Sequence, residues 1–475
     1  MRAPLPALVL MAVALSGCSL APDFRLPDLA LPDWWTNADP PPPAQPPLEM
    51  PAPGAWWKEF ASSDLDALQA RALANNRDLK AAIARIEQAQ AQADAASAPL
   101  WPTFGLSGQG QVAKRSSSAS SSSSSTRTTT SSAGTLRSYQ ASLTASYEID
   151  FWGKTRSGIE AAEQGLAASE FDRDTVALTL TANVATTWFQ ALALAERVAA
   201  AKRNLEIARQ SLELAEKQEA FGKTSALEAA QQRSAVALIE AQVPALELQR
   251  RQALDTLALY CGLTNSAGLA DRVALGELPV PAVRPGLPAA LLLSRPDIRK
   301  AEANLKAANA NIGIARAQLF PLITLTGDRG YSSIYLDTLL DPKSAFWTLG
   351  GNLAVTLFDH GKLLANVRLS EAKMKELAES YQGAILAALK DVEDGLAATR
   401  WLALQEDAQT QAVMAAKEAQ RLADIRYREG AVDYLAVLEA QRTLLQAEDG
   451  AIQVRLARLN AAVGLFKALG SAPPP

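Results

Sequence analysis

Ser138-Tyr139-Gln140-Ala141-Ser142-Leu143-Thr144-Ala145-Ser146-Tyr147-Glu148-Ile149-Asp150-Phe151 alternates without a break. Every odd position is apolar or aromatic, and every even position is polar or acidic. Successive side chains of a strand point to opposite faces, so this run predicts a β-strand with one apolar and one polar face. It is also as long as a tilted membrane crossing needs.

The pattern recurs on either side. Phe104, Leu106 and Val112 alternate with Thr103, Ser107, Gln109 and Gln111. Further on, Ile323, Leu325 and Tyr331 oppose Thr324, Thr326 and Asp328, and Trp347, Leu349, Leu353, Val355 and Leu357 oppose Thr348, Asn352 and Thr356. Four strands are predicted, at residues 102–115, 136–151, 321–332 and 346–358. Such a sheet would suit a soluble core as well as a bilayer. Three features favour the bilayer: strand length, aromatic residues at strand ends (Trp101, Phe104, Phe151, Trp152, Phe320, Tyr331, Phe346, Trp347), and a serine-rich connection from Ser116 to Ser132. Four strands cannot close a barrel, and an open edge in lipid leaves backbone groups unpaired. If these strands span a membrane, several chains share one barrel.

The chain is also two copies of one unit. Asn76-Arg77-Asp78-Leu79-Lys80 falls on Arg295-Pro296-Asp297-Ile298-Arg299 at a shift of 219 (297 less 78). After the strands the shift is 208, placing Gly153 on Gly361, Gly222 on Gly430 and Gly262 on Gly470. The first copy occupies residues 61–263 and the second 289–470, joined by a Pro-containing linker at 264–288 and followed by a tail at 471–475.

Residues 1–17 read as an export signal, with Arg2 ahead of a short apolar core from Leu8 to Leu15. Leu15-Ser16-Gly17-Cys18 resembles the bacterial lipobox, whose cysteine is acylated and becomes the mature N-terminus. Such an anchor, a diacylglycerol and an acyl chain on Cys18, tethers a chain without spanning the bilayer. Residues 18–60 form a Pro-rich lead-in.

Between Thr155 and Ala220, and again between Leu363 and Tyr427, there is no proline. Each stretch would make a helix of about 100 Å at 1.5 Å per residue, a length that implies coiled-coil or bundle packing. Leu205, Ala208, Leu212 and Ala215 supply part of an interhelical seam. Phe221-Gly222-Lys223-Thr224 and Arg428-Glu429-Gly430-Ala431 then end the helices on a glycine cap, and return helices follow at 225–260 and 433–468. Pro244 should kink or break the first return helix.

The chemistry-bearing inventory is small. Two cysteines (Cys18, Cys261) and one histidine (His360) cannot build a disulfide framework, a zinc site or a His-based triad. There is no phosphate-cradling loop or nucleophile elbow, so an enzyme is not expected. Glu148 and Asp150 read as a polar strand wall and His360 as a strand-end residue. A net charge of −4 gives no reason to expect nucleic acid as a partner.

Four segments carry a family resemblance: Leu293-Ser294-Arg295-Pro296-Asp297-Ile298, Tyr147-Glu148-Ile149-Asp150-Phe151-Trp152-Gly153-Lys154, Leu357-Phe358-Asp359-His360-Gly361-Lys362 and Tyr434-Leu435-Ala436-Val437-Leu438-Glu439-Ala440-Gln441-Arg442. Together with the lipobox and the duplication, they resemble the TolC-like outer-membrane efflux factors, especially the OprM-type lipoproteins. The resemblance implies a membrane α+β fold: a homotrimer sharing a twelve-stranded transmembrane β-barrel, continued by a periplasmic α-helical coiled-coil barrel. It implies the exit duct of a tripartite efflux system in the Gram-negative outer membrane, passing drugs, toxic organics or metal ions. Its partners would be a periplasmic adaptor and, indirectly, an inner-membrane pump. By motif position, Leu435 and Glu439 would ring the closed periplasmic end, although Ala436 stands where some members carry a second acid. Gly222, Lys223, Thr224, Gly430, Ala431 and Val432 would meet the adaptor. A duct for protein secretion and a non-spanning periplasmic coiled-coil lipoprotein are the alternatives.

Overall fold

The structure is a computed structural model that describes residues 20–37, 54–114, 135–222, 224–267, 269, 273–283, 288 and 294–470. Cys18, Lys223, the serine-rich run 116–132 and the tail 471–475 lie outside the described residues. The chain forms two compact units, the first from segments 1–26, 88–166 and 303–378, the second from 27–87, 167–302 and 379–475.

The first unit holds one antiparallel sheet in the order β1-β2-β3-β4, with β1 at Thr103–Lys114, β2 at Thr135–Glu148, β3 at Leu322–Ser333 and β4 at Ala345–Ala354. Leu106 pairs with Leu143, Leu143 with Arg329, and Arg329 with Trp347. Directly paired residues share a face, so this register gathers Phe104, Leu106, Val112, Leu143, Tyr147, Leu325, Tyr331, Trp347, Leu349 and Leu353 on one side. That side is uncovered: Leu106 is 85% exposed, Leu349 80% and Trp347 76%. The other side carries Ser107, Gln109, Ser142, Thr144, Thr324, Asp328, Thr348 and Asn352. Strands β1 and β4 each pair on one edge only.

Two strand ends fall short of the alternation. The last strand was expected to reach 358, but β4 stops at Ala354, paired with Leu322. The residue before Leu322 is Pro321, which has no N–H to extend the ladder. Val355 and Leu357 keep the alternating pattern without a strand partner, and His360 sits in the turn beyond rather than at a strand end. Its φ is 56° and its ring lies 5.0 Å from that of Phe358. Likewise β2 ends at Glu148, not at 151, after which Ile149 N–H makes one more bond to the Ile323 carbonyl at 2.9 Å. Asp150 turns away to accept the backbone N–H groups of Thr155 and Arg156, both at 2.9 Å, capping the following helix. So Asp150 is a cap and not part of the strand wall.

Helices continue from this sheet. We number them α1 (Ser63–Asn75), α2 (Arg77–Ser97), α3 (Lys154–Ala220), α4 (Ala226–Tyr260), α5 (Pro296–Ala317), α6 (Lys362–Arg428) and α7 (Tyr434–Ala468). Both α3 and α6 have 67 residues. Helix α4 runs through Pro244 without a break. The proline lies on an exposed side of the helix, where water can take the carbonyl it leaves without a partner. No described helix is long and apolar enough to cross a membrane.

In the second unit Trp56, Phe60, Trp188, Phe189, Leu257, Leu459 and Phe466 form the main core. Trp56 stacks on Phe466 at 5.5 Å, and Phe60 meets Phe189 at 5.1 Å. A second cluster packs Ile298, Tyr381, Ile385, Val392 and Leu465 around Trp35, which the N-terminal segment inserts. That segment is pinned just beyond, where Thr36 and Asn37 donate backbone N–H bonds to the Glu393 carboxylate at 2.6 and 3.0 Å. Helices α3 and α4 are joined by a seam of small residues. Ala208, Ala215 and Ala229 are buried along it, and Gln232 Nε2 donates to the Ala208 carbonyl at 2.8 Å. Arg209–Glu240 and Lys202–Glu247, both at 2.7 Å, line its rim.

Candidate functional site

The candidate site is the pair of helix turns in the second unit and the helix faces that adjoin them. Each turn is made by glycine in the left-handed region, Gly222 at φ 66° and Gly430 at φ 72°. At the second turn Ala431 N–H reaches back to the Arg426 carbonyl at 2.8 Å and Gly430 N–H to Tyr427 at 3.0 Å, which closes the end of α6. The return helices are capped at once. Ser225 accepts the Glu228 N–H at 3.4 Å, and Asp433 accepts the Ala436 N–H at 3.2 Å. Thr224 adds a short side-chain bond to Glu228. Of the residues expected at the turns, Gly222, Thr224, Gly430, Ala431 and Val432 sit in them, and Lys223 lies outside the described residues.

An aromatic pair fastens the second turn. The rings of Tyr427 and Tyr434 meet edge to face at 5.2 Å. Tyr427 Oη donates to Gln218 Oε1 of α3 at 2.9 Å, tying the two hairpins together. Burial pushes the Tyr434 phenol well above its usual range, so it stays neutral in water. Burial also raises the carboxyl of Asp424, against the opposing pull of the Arg428 charge.

Leu435 and Glu439 lie one turn apart on α7, both exposed, with Leu435 60% exposed. Both line an open cavity of about 580 Å³ between the two hairpins. Its opposite wall includes Ile207 of α3 and Gln231 and Leu238 of α4. At the shift of 208, Leu435 corresponds to Leu227 and Glu439 to Gln231. Leu227 is 65% exposed and Gln231 shares the cavity with Glu439, so the two copies present equivalent positions. Sequence reasoning missed Leu227, Gln231 and the Tyr427–Gln218 bond; the repeat alignment carried the signal for the first two. Among the described residues no group of three His, Cys, Asp or Glu side chains is placed to hold a metal ion.

Comparison with known proteins agrees with this geometry. A sequence model of the outer membrane efflux protein family matches residues 68–263 and 287–471, one match per copy. The pyoverdine export outer membrane protein OpmQ of Pseudomonas aeruginosa is 42% identical over 87% of this chain and 86% of its own. The cation efflux system protein CusC of Escherichia coli O6:H1 is 31% identical over 97% of both chains. Among solved structures, the CmeC outer membrane channel of Campylobacter jejuni superposes with a TM-score of 0.86 at 27% identity, covering 96% of this chain and 95% of that one. Two matched copies, each with a strand pair between long helices, make this chain a member of the outer membrane efflux protein family.

Proposed function

We propose that three copies of this chain assemble into one outer-membrane exit duct, which passes small molecules passively and serves a tripartite efflux system. Members of this family work in the Gram-negative outer membrane, and so does this chain. The observation that carries the trimeric reading is the sheet: an uncovered apolar face bounded by two edges that this chain leaves unpaired. In lipid such edges must pair, and three four-stranded sheets joined edge to edge give a closed barrel of twelve strands. The polar face then lines the lumen, and the long helices continue the duct in the periplasm as a coiled-coil barrel.

The anchor belongs to the same reading. Arg316 and Asn309 of α5 hold the carbonyls of Leu20 and Pro22, at 3.5 and 2.9 Å. Cys18 stands two residues ahead of Leu20 in the sequence, so an acyl chain on it would tether the segment that α5 holds. Leu435 and Glu439 form the periplasmic constriction, a leucine ring beside a carboxylate ring. The turns at Gly222, Lys223, Thr224, Gly430, Ala431 and Val432 receive the adaptor, which links the duct to an inner-membrane pump. The named relatives include a pyoverdine export protein and a cation efflux protein. Cargo choice therefore falls to the pump, and the duct needs only a wide polar bore.

The test is to express the full chain with its own signal, extract it from outer membranes, and measure oligomer mobility with and without boiling together with conductance in planar bilayers. A heat-dissociable trimer that forms pores is expected. A monomer that stays in solution without detergent and conducts nothing would replace the duct with a tethered helical scaffold.

A further inference from the structure

The charges of the sheet are sorted by face. The four strands contain three cations, Lys114, Arg137 and Arg329, and two acids, Glu148 and Asp328. The register puts all three cations on the apolar face: Arg137 pairs with Val112, Lys114 with Thr135, and Arg329 with Leu143 and Trp347. Both acids face the other way. Asp328 accepts a bond from Thr348 Oγ1 at 3.2 Å and Glu148 pairs with Lys154 at 3.0 Å.

A cation on a lipid-facing surface is costly at the bilayer midplane and is tolerated only near an interface or beside a counter-charge. Arg329 is exposed, and its nearest neighbour in sequence, Asp328, is committed to the opposite face. It is flanked across the strands by Leu143 and Trp347, with Tyr331 two residues on. Trp and Tyr favour the headgroup level. Lys114 and Arg137 lie at the loop end of β1 and β2, and Arg329 lies in the loop-side half of β3, opposite Trp347 near the loop end of β4. Helices attach at the opposite strand ends, and the 115–134 and 334–344 connections join the strands at this end. With the helices in the periplasm, this end meets the outer leaflet. Lys114 and Arg137 lie farther out, Arg137 about 20 Å along β2 from the level of Arg329.

From this segregation we propose that the outer face of the sheet is a binding site for a phosphorylated glycolipid of the outer leaflet, with Arg329 holding a lipid phosphate and Trp347 packing beside it. Guanidinium groups bind phosphate through paired, charge-assisted hydrogen bonds, whereas the neutral surface around Arg329 offers acyl chains a dry wall. Lys114 and Arg137 supply positive charge for anionic groups of the same lipid layer farther from the membrane centre. All of Arg329's strand neighbours come from its own chain, so the site is complete in each protomer. The proposal rests on the sheet facing lipid, and the experiment separates the two ideas.

Purified full-length trimer is titrated with bisphosphorylated lipid A, with the same lipid stripped of phosphate, and with phosphatidylglycerol, and native mass spectrometry counts the lipids retained. Saturable retention of lipid A is expected, about tenfold weaker once the phosphates are removed. Arg329→Gln should show a similar loss, Arg329→Lys a smaller one, and Asp328→Asn, on the far face, none. Equal affinity for the phosphorylated and stripped lipids, or unchanged retention by an assembled Arg329→Gln trimer, overturns the site. Equal affinity for phosphatidylglycerol overturns its assignment to a glycolipid. Should Arg329→Gln fail to assemble, the wild-type comparison of the two lipid A forms decides alone. A wild-type chain that enters no vesicle removes the lipid-facing reading itself.

Discussion

Arg295 Nη1 donates to the carbonyl of Ala468 at 3.0 Å, and the same contact exists in the first copy, where Asn76 Nδ2 donates to the carbonyl of Tyr260 at 3.0 Å. The positions correspond at the two shifts of the repeat, 219 for the donor and 208 for the acceptor. In each copy a side chain at the start of one helix ties down the last carbonyls of the return helix. The duplication has therefore kept a tertiary bond while changing its chemistry from amide to guanidinium.

That change makes the two copies respond differently to acid. Burial alone would raise the Asp297 carboxyl, but the hydrogen bonds and charge of Arg295 outweigh it and hold the group below the ordinary carboxylate value of 3.8. A depressed carboxylate contributes stability that is fully present above its unfolded pKa and is lost as pH falls through the folded one. The Arg295 clamp should thus be intact down to about pH 4 and weaken below it. Arg295→Ala should cost about 2–3 kcal/mol at neutral pH and remove that acid-dependent part. Asn76→Ala should cost about 2 kcal/mol, losing both the Tyr260 bond and the cap on the Leu79 N–H, with no acid dependence of its own. Urea unfolding midpoints at several pH values distinguish the pair; parallel pH curves for the two variants would contradict it.

Four of the glycines with positive φ should also separate into two grades. At Gly222 and Gly430 an added Cβ meets nothing within 4 Å, so alanine there costs only the left-handed backbone, about 1 kcal/mol. At Gly262 a Cβ would approach the Asn75 carbonyl oxygen at 2.6 Å, and at Gly470 it would approach Ser294 and Arg295 at 2.9 Å. Alanine there adds a steric overlap with backbone that cannot move freely, for a total above about 2 kcal/mol. Thermal unfolding of the four single variants checks the ranking, which fails if the turn glycines prove the costlier pair.

Much of this architecture is legible in the residues because one physical rule governs each part of it. Period-2 alternation exposed all four strands, and the glycine after each long proline-free stretch marked both turns. Strand ends were less legible, since they are set by partners: Pro321 ends the ladder opposite β4, and Asp150 leaves β2 to cap α3. The burial of Trp35 among Ile298 and Tyr381 joins distant segments, and the grip of Glu393 on Thr36 and Asn37 joins positions more than 350 residues apart, which no local pattern encodes. The sorting of charges on the sheet likewise appears only once the register is known, because adjacent Asp328 and Arg329 look like an ordinary pair in the sequence.

The two cysteines give a simple chemical test of the anchor. Cys261 is fully buried, with its Sγ 3.8 Å from the Leu68 carbonyl, and burial pushes its thiol above the ordinary value. Both effects suppress the thiolate that a maleimide needs. An acylated Cys18 has no free thiol at all. Native protein from outer membranes should therefore take up no maleimide, and one equivalent after denaturation, at Cys261. A second equivalent after denaturation would mean that Cys18 is not modified.

The two copies of the repeat differ in charge at their equivalent return-helix positions, Gln231 and Glu439. If Leu435 and Glu439 close the duct, replacing both with alanine should raise basal single-channel conductance and the uptake of large antibiotics several-fold, with assembly unchanged. Leu227 and Gln231 occupy the matching positions of the first copy, and Gln231 lines the same cavity, but it is neutral. Changing Leu227 and Gln231 to alanine should widen the opening without altering its ion preference, whereas losing Glu439 should also reduce the preference for cations, since only the second copy brings a carboxylate. Reversal potentials in a salt gradient read that difference directly. Equal cation preference in wild type and the Glu439→Ala variant, with no rise in leak, would place the constriction elsewhere along α7.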